Sequence, residues 1–180
     1  MLKKLLAFLF TSLLLLGCGH STPKSVPVTT PSNVADGLTT PVKVAHVVDG
    51  DTIIVFDGKE KVKVRLIGID TPESVHRDES KNTREGKIVS ERLSSFLTGK
   101  RVQLEFDAES QDKYGRLLAY VWLDGEMVNK MLLDAGLAKT LSIPPNTKHA
   151  DEFALAEEGA RESGAGFWGK ESKFFLEAKS

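Results

Sequence analysis

Several features that would assign the chain to a class at once are scarce or missing. One cysteine among 180 residues cannot form an internal disulfide, and the four histidines show no zinc-site spacing. Only 7% of the residues are aromatic, and the longest largely apolar run has about twelve residues, too few for a membrane-spanning helix. The formal net charge of −1 gives no bulk attraction to nucleic acid. With 41% hydrophobic residues, these absences favour one globular domain.

The N-terminal seventeen residues have the pattern of a targeting segment. Lys3 and Lys4 precede an uncharged stretch from Leu5 to Leu16. Its end, Leu-Leu-Gly-Cys, resembles the lipobox of bacterial lipoproteins, which implies that residues 1–17 are removed and that Cys18 is lipidated. We therefore expect a lipid anchor in a membrane of the bacterial cell envelope. The alternative is an ordinary signal peptide with an incidental cysteine.

Residues 18–40 predict a flexible tether after the lipidated cysteine. Prolines occur among many Ser and Thr residues, only Lys24 and Asp36 are charged, and no apolar periodicity is visible. The pattern changes at residue 41, so we assign residues 41–170 to the folded domain and 171–180 to a C-terminal tail. No signal for oligomerisation is visible, and a monomer is the default expectation.

Alternation of apolar and polar residues predicts five short strands in this domain. The strand signals are Val42–Val44, Thr52–Val55, residues 60–69, Val102–Phe106 and Leu117–Leu123, with Asp49-Gly50 and Asp57-Gly58 as hairpin turns. The first three strands are expected to form a meander.

Apolar residues at helical spacing predict three helices. The stripes are Val89, Leu93, Phe96 and Leu97 before Gly99; Val128, Met131, Leu132 and Ala135 before Gly136; and Phe153, Ala156 and Ala160 before Gly164. One helix lies between the third and fourth strands, and the others follow the fifth. This order predicts an α+β fold with a five-stranded β-barrel of the oligonucleotide/oligosaccharide-binding (OB) type and three α-helices.

Three polar clusters hold the candidate site residues. They are Asp49-Gly50-Asp51-Thr52, Arg65 with Asp70-Thr71-Pro72-Glu73, and Asp112-Lys113-Tyr114-Gly115-Arg116. Each cluster alone is typical of an ordinary turn or strand end. Alternation along residues 60–69 places Arg65 on the outer face of the barrel, together with Lys61 and Lys63. The acids of the first two clusters can then converge on Arg65.

Two of these acids suit a calcium ion. Asp51 and Asp70 offer hard oxygen ligands at strand ends, and the backbone carbonyl of Thr71 can add a third, which leaves room for water and a phosphate oxygen. Hydrolysis of a phosphodiester requires neutralised charge and a positioned water. Arg65 and Arg116 are the candidate phosphate clamps, and Glu73 is the candidate general base.

These motifs resemble the calcium-dependent staphylococcal nuclease family from about Val42 to Trp168. The matching motifs are Asp-Gly-Asp-Thr, Arg-Leu-(three residues)-Asp-Thr-Pro-Glu, Asp-Lys-Tyr-Gly-Arg-(one residue)-Leu-Ala-Tyr, and Met-Val-Asn followed by Gly-Leu-Ala-Lys. The resemblance implies the same roles for the acids and arginines. It also implies that Lys113 and Tyr114 make the nucleotide-phosphate and hydroxyl contacts of the family. It further implies cleavage of DNA or RNA to 3′-phosphate and 5′-hydroxyl ends.

One segment departs from the family pattern. After Gly-Leu-Ala-Lys the family has two tyrosines beside the nucleotide, whereas this chain continues Thr140-Leu141-Ser142-Ile143-Pro144. Stacking of a base on an aromatic ring contributes about 1 to 3 kcal/mol, so we expect weaker or differently oriented substrate binding. Two rival hypotheses remain: a noncatalytic OB-fold lipoprotein that binds nucleic acid, and a structural envelope lipoprotein whose acids only bind calcium. The first does not require all the matching side chains, and the second does not explain the arginines.

Overall fold

The structure, a computed structural model, describes residues 38–75 and 78–169. The predicted signal peptide, Cys18, most of the tether and the C-terminal tail lie outside these residues. No helix in the described part of the chain is long and apolar enough to cross a membrane.

The described residues form eight strands, and five of these strands build a closed barrel. They are β1 (Val42–Asp49), β2 (Thr52–Asp57), β3 (Glu60–Leu66), β4 (Gly68–Asp70), β5 (Arg101–Glu105), β6 (Leu117–Leu123), β7 (Glu126–Met127) and β8 (Lys139–Leu141). The main sheet has the order β3-β2-β1-β5-β6-β7, and a parallel pairing of β3 with β6 closes it. The predicted meander and five-stranded barrel are confirmed.

The three predicted helices are α1 (Arg84–Leu97), α2 (Val128–Asp134) and α3 (Ala150–Ser163). Helix α1 begins one turn earlier than its apolar stripe, because the side chain of Thr83 caps it by accepting a hydrogen bond from the Gly86 amide. Val89 is fully buried on this stripe, whereas Phe96 is 41% exposed. The inclusion of Phe96 in the core-facing stripe was therefore wrong.

The prediction of one strand over residues 60–69 is also wrong. β3 ends at Leu66, and β4 begins at Gly68, whose φ of +79° is strained for any residue with a side chain. A Cβ on Gly68 would lie 2.4 Å from the ring of Phe153, so helix α3 packs directly on this glycine. The bend takes β4 out of the barrel and into an antiparallel pair with β8.

A buried asparagine ties the bend to the rest of the fold. Asn129 on α2 is fully buried, and its amide donates to the carbonyl of Ile67 at 2.9 Å. Its side-chain oxygen accepts from the Val121 amide of β6 at 2.9 Å. The junction of β3 and β4 is thus held against both a helix and the barrel wall, which makes its position rigid.

Candidate active site

Asp51 and Arg65 are brought together by the pairing of β2 with β3. Asp51 lies in the two-residue turn that joins β1 to β2, and the next residue, Thr52, is the register partner of Arg65. The Leu66 amide donates to the Asp51 carbonyl at 2.8 Å, which fixes the turn against β3. As a result, Nη2 of Arg65 lies 2.9 Å from Oδ2 of Asp51.

The guanidinium of Arg65 also reaches the end of β4. Its Nη2 donates to the carbonyl of Ile69 at 3.0 Å and lies 3.8 Å from Oδ1 of Asp70. The sequence places Arg65 on the outer face of the barrel, and the alternation is correct, but the bend after Leu66 folds main-chain carbonyls over it. The side chain is only 15% exposed. Arg65 therefore joins the two predicted calcium-binding aspartates.

Asp51 carries a charge that its surroundings compensate only in part. Its side chain is 13% exposed. Burial has the largest effect on Asp51 and raises its pKa. Arg65 and a 2.9 Å hydrogen bond from the Thr52 hydroxyl lower the pKa, whereas the negative charges of Asp49 and Asp70 raise it. The net shift of the pKa is upward. A site of this kind favours an additional cation.

Thr71 packs against the same turn. Its side chain is buried, and its Oγ1 has no hydrogen-bond partner among the described residues. A Cβ on Gly50 would lie 2.5 Å from that oxygen. The hairpin predicted at Asp49-Gly50 is present, but a glycine is needed at position 50 for this close approach rather than for a positive φ.

The donor set fits a calcium ion bound by few protein ligands. Among residues 38–75 and 78–169, no group of three or more His, Cys, Asp and Glu side chains is arranged to hold a metal. The available donors are instead the two carboxylates of Asp51 and Asp70 and the oxygens of Thr71, all hard ligands. The raised pKa of Asp51 agrees with a site that favours a bound cation.

Glu73 lies in the loop that leads from β4 to α1, and its side chain is exposed. Its carbonyl accepts from the backbone amide and the hydroxyl of Thr83, at 2.8 and 3.3 Å. A Cβ on Gly86, in the first turn of α1, would lie 2.2 Å from the same carbonyl oxygen. The start of α1 thus fixes the backbone position of Glu73.

Asp49 is a positioning residue that the sequence indicates only as part of a turn. It is buried, and its Oδ1 accepts hydrogen bonds from the Gly50 amide and from the hydroxyls of Ser74 and Ser90, at 2.8, 2.6 and 3.1 Å. These contacts link the Asp51 turn to the Glu73 loop and to α1. Ser90 is separated from Asp49 by 41 residues, so no local pattern could have identified the pair.

Arg116 is oriented by the first residue of its own cluster. Its Nε donates to Oδ2 of Asp112 at 2.7 Å, and the amides of Arg116 and Tyr114 both donate to Oδ1 at 2.9 Å. Burial raises the pKa of Asp112, but these hydrogen bonds and the charge of Arg116 outweigh burial and hold the pKa below its usual value. Asp112 was not among the predicted site residues, although its position at the start of the motif was visible.

One cleft of about 590 Å³ contains both arginines. Lys113 and Tyr114 also line it, and Tyr114 is 74% exposed with Nζ of Lys113 5.1 Å from its ring centre. The parallel pairing of β3 with β6 explains why Arg65 and Arg116, far apart in the sequence, share this cleft. The lining of the cleft does not include the other predicted site residues Asp51, Asp70, Thr71 and Glu73. Arg65 lines the cleft and contacts both aspartates, so it connects them to the cleft.

The segment that lacks the two tyrosines forms an apolar part of this cleft. Leu141 is 39% and Ile143 61% exposed, and Pro144 lines the cleft beside them. Asn146 anchors the segment, because it donates to the carbonyl of Glu109 at 2.9 Å and accepts from its amide at 2.8 Å. The aromatic surface missing from the sequence is thus replaced by aliphatic side chains and proline.

Comparisons with known proteins agree with this geometry. The family described as "Staphylococcal nuclease homologue" matches residues 63–170. The chain is 43% identical to the thermonuclease of Staphylococcus intermedius over 69% of this chain and 74% of that protein. It is 42% identical to the thermonuclease of Staphylococcus hyicus, over 70% and 74%. It is 40% identical to endonuclease YncB of Bacillus subtilis, over 72% and 62%. A barrel of this topology, the arginine-linked aspartates and these matches lead to one conclusion: the chain belongs to the staphylococcal nuclease family.

Proposed function

We propose that the chain is a calcium-dependent endonuclease that hydrolyses phosphodiester bonds of DNA, RNA or both to 3′-phosphate and 5′-hydroxyl ends. Its relatives are named thermonuclease and endonuclease. As a member of this family the chain is a nuclease, which is a type of hydrolase. The observation that carries the proposal is the position of Arg65: one guanidinium contacts Asp51 and Asp70 and lines the cleft that contains Arg116.

In this proposal Asp51, Asp70 and the Thr71 carbonyl hold the calcium ion. Bound there, the ion supplies positive charge that neutralises the phosphodiester. The partial burial of Asp51 supports this assignment, because its negative charge is stabilised only in part by Arg65.

The side chains of the site supply the remaining chemistry. Arg65 binds the phosphate, and Glu73 accepts the proton of the attacking water as the general base. Asp112 engages Nε of Arg116, so the two Nη groups of Arg116 are the donors that stabilise charge on the leaving oxygen. Lys113 contacts a nucleotide phosphate, and the hydroxyl of Tyr114 contacts the same substrate; both line the cleft.

The proposal extends to location. Cleavage after residue 17 and lipidation of Cys18 would anchor the enzyme in the bacterial cell envelope, where it acts as a monomer on external nucleic acid. The motif before Cys18 supports this part. Within the described residues the chain already pairs with Glu105 of β5 at Leu38, so the proposed tether would occupy the residues before it.

The function is tested with end-labelled DNA and RNA oligonucleotides and the purified chain. Cleavage should require calcium, and magnesium should replace it poorly because magnesium demands a tighter octahedron. The new 3′ ends should block a polymerase until a phosphatase removes the phosphate. Full activity in excess chelator, or 5′-phosphate products, would contradict the proposal, and calcium-dependent binding without cleavage would favour the noncatalytic barrel.

A further inference from the structure

The outer surface of the barrel carries a set of cations that the proposed chemistry does not use. Two rows of register partners cross its strands. The first row is Lys61, Phe56, Lys43 and Arg101, and the second is Lys63, Ile54 and His46. We call these seven residues the basic face. None of the seven is acidic, so the two rows concentrate positive charge in a chain whose net charge is −1.

The cations of the basic face are accessible. Lys43, Lys61, Lys63 and Arg101 are all exposed. The cross-strand partners of the two β3 lysines are Phe56 and Ile54, which are apolar, so neither lysine faces a carboxylate across the strands. Nζ of Lys61 lies 5.8 Å from the ring centre of Phe56. An aromatic ring among lysines is typical of surfaces that contact single-stranded nucleic acid.

The basic face continues the cleft. Lys63 lines a surface depression of about 320 Å³ together with Tyr114, Gly115 and Arg116. Tyr114 and Arg116 also line the main cleft, so the depression and the cleft share a wall. Every second residue of β3 from Lys61 through Lys63 to Arg65 is basic. Because alternate side chains of a strand point to the same face, these three basic residues follow one another on that face at a spacing of about 6.6 Å. An extended polyanion leaving the cleft past Arg116 would meet these cations in succession.

We infer that the basic face binds the phosphates of a nucleic-acid strand beyond the cleft, and that Lys61 and Lys63 determine a preference for long substrates over short ones. This inference rests on the proposed function. Nucleic acid is favoured over an anionic membrane surface because Lys63 shares its depression with two residues of the cleft.

The test compares Lys61→Gln/Lys63→Gln with Lys87→Gln/Lys130→Gln. The control lysines form exposed pairs with Glu91 and Asp134 within their own helices, and neither lysine lines the cleft or the depression beside it. For each variant, kcat/KM is measured on a single strand of about 30 nucleotides and on a dinucleotide, at several salt concentrations.

Relative to the control variant, Lys61→Gln/Lys63→Gln should lower the ratio of kcat/KM for the long substrate to that for the short one. The kcat/KM on the long strand should also become less sensitive to salt. Between about 50 and 200 mM salt, the factor by which it falls should be roughly 7 times smaller than in the control variant, because each lost phosphate contact removes about −0.7 from the slope of log affinity against log salt concentration. A ratio and a salt dependence equal to those of the control variant would overturn the inference.

Failure of the proposed function gives a different result. If the parent protein cuts neither substrate in calcium, the proposed function is wrong, and anisotropy with the labelled 30-nucleotide strand then decides the inference by the same salt slopes. Sedimentation with vesicles of anionic or neutral lipid forms the last arm. Loss of anionic-vesicle binding in Lys61→Gln/Lys63→Gln, with unchanged nucleic-acid behaviour, would overturn the inference in favour of a membrane surface.

Discussion

Arg65 and Asp51 form an ion pair of 2.9 Å in which the side chains are only 15% and 13% exposed. The pair joins the β1–β2 turn to β3, and the same guanidinium extends to Asp70. Arg65 therefore has a structural role in addition to its proposed contact with phosphate. The outer-face position of Arg65, which the strand alternation predicts, does not by itself indicate this structural role, because the burial of the pair depends on the bend after Leu66.

Replacing Arg65 with Gln should destabilise the calcium-free protein by about 1 to 3 kcal/mol, because Asp51 keeps a mostly buried charge without its partner. Urea unfolding with and without calcium measures the loss, and calcium should restore part of it. The double variant Asp51→Asn/Arg65→Gln should be more stable than the sum of the single effects predicts. Strict additivity would show that the ion pair is not the cause.

Replacing Glu73 or Arg116 with Gln should reduce kcat far more than stability. A positioned general base contributes about 10² to 10⁴-fold, and an arginine that stabilises charge in phosphoryl transfer about 10³ to 10⁵-fold. Single-turnover kinetics on an end-labelled oligonucleotide measure the loss, with thermal melts as the folding control. Rates close to those of the parent protein in folded variants would place the chemistry on other residues.

Gly86→Ala should disturb the Glu73 loop, since the added Cβ would meet the Glu73 carbonyl oxygen at 2.2 Å. We expect lower stability and a lower kcat, measured by thermal melting and by cleavage in saturating calcium. Gly159→Ala is the matched control: position 159 is an exposed site within α3, and a Cβ there meets nothing within 4 Å. The control should gain about 0.5 to 1 kcal/mol from helix propensity and keep its activity. Equal behaviour of the two variants would contradict the steric argument.

The stability of the barrel should fall on acidification partly through Glu105. Burial raises the pKa of Glu105, but hydrogen bonds from Lys148, Trp122 and His149 outweigh burial and hold the pKa below the ordinary value of 4.5. A carboxyl with a lowered pKa contributes stability above its unfolded pKa and loses it as the pH falls through the folded pKa.

Glu105→Gln should therefore be less stable than the parent protein at neutral pH, by about 1 to 3 kcal/mol, and the difference should shrink below the ordinary glutamate pKa. Melting temperatures from about pH 7 to pH 3 check this. Glu126→Gln, at an exposed position of β7, is the control and should follow the parent curve. A constant offset of Glu105→Gln across the whole range would show that its charge is not responsible.

Cys18→Ser should release the protein from the membrane of a bacterial host. The mature parent protein should begin at residue 18 and carry a diacylglycerol mass increment, detected by mass spectrometry of the membrane fraction. The variant should instead lack labelled lipid and fractionate with the medium or the periplasm. A mature N terminus at another residue would support the ordinary signal peptide instead.

Much of the fold was predictable from the sequence because it depends on short-range patterns. Period-two alternation identified the barrel strands, and helical spacing identified α1, α2 and α3. The same alternation placed Arg65 with Lys61 and Lys63 on one face, which the register of β2 and β3 confirms. Side-chain direction in a strand depends on the backbone alone, so this much needs no tertiary information.

The tertiary structure decided the details on which the candidate site depends. The bend at Gly68 arises where Phe153 approaches from a helix far along the chain, and it folds carbonyls over Arg65. The contacts of Asp49 with Ser74 and Ser90, and the shared cleft of Arg65 and Arg116, likewise join distant segments.

The sequence by itself determined which residues are available for chemistry and on which strand face they lie. The tertiary structure alone buries Asp51 and raises its pKa, because remote segments of the chain must pack together to exclude water from it. The continuity of the cleft with the basic face also depends on segments that are distant in the sequence, and a local sequence pattern contains no information about such contacts.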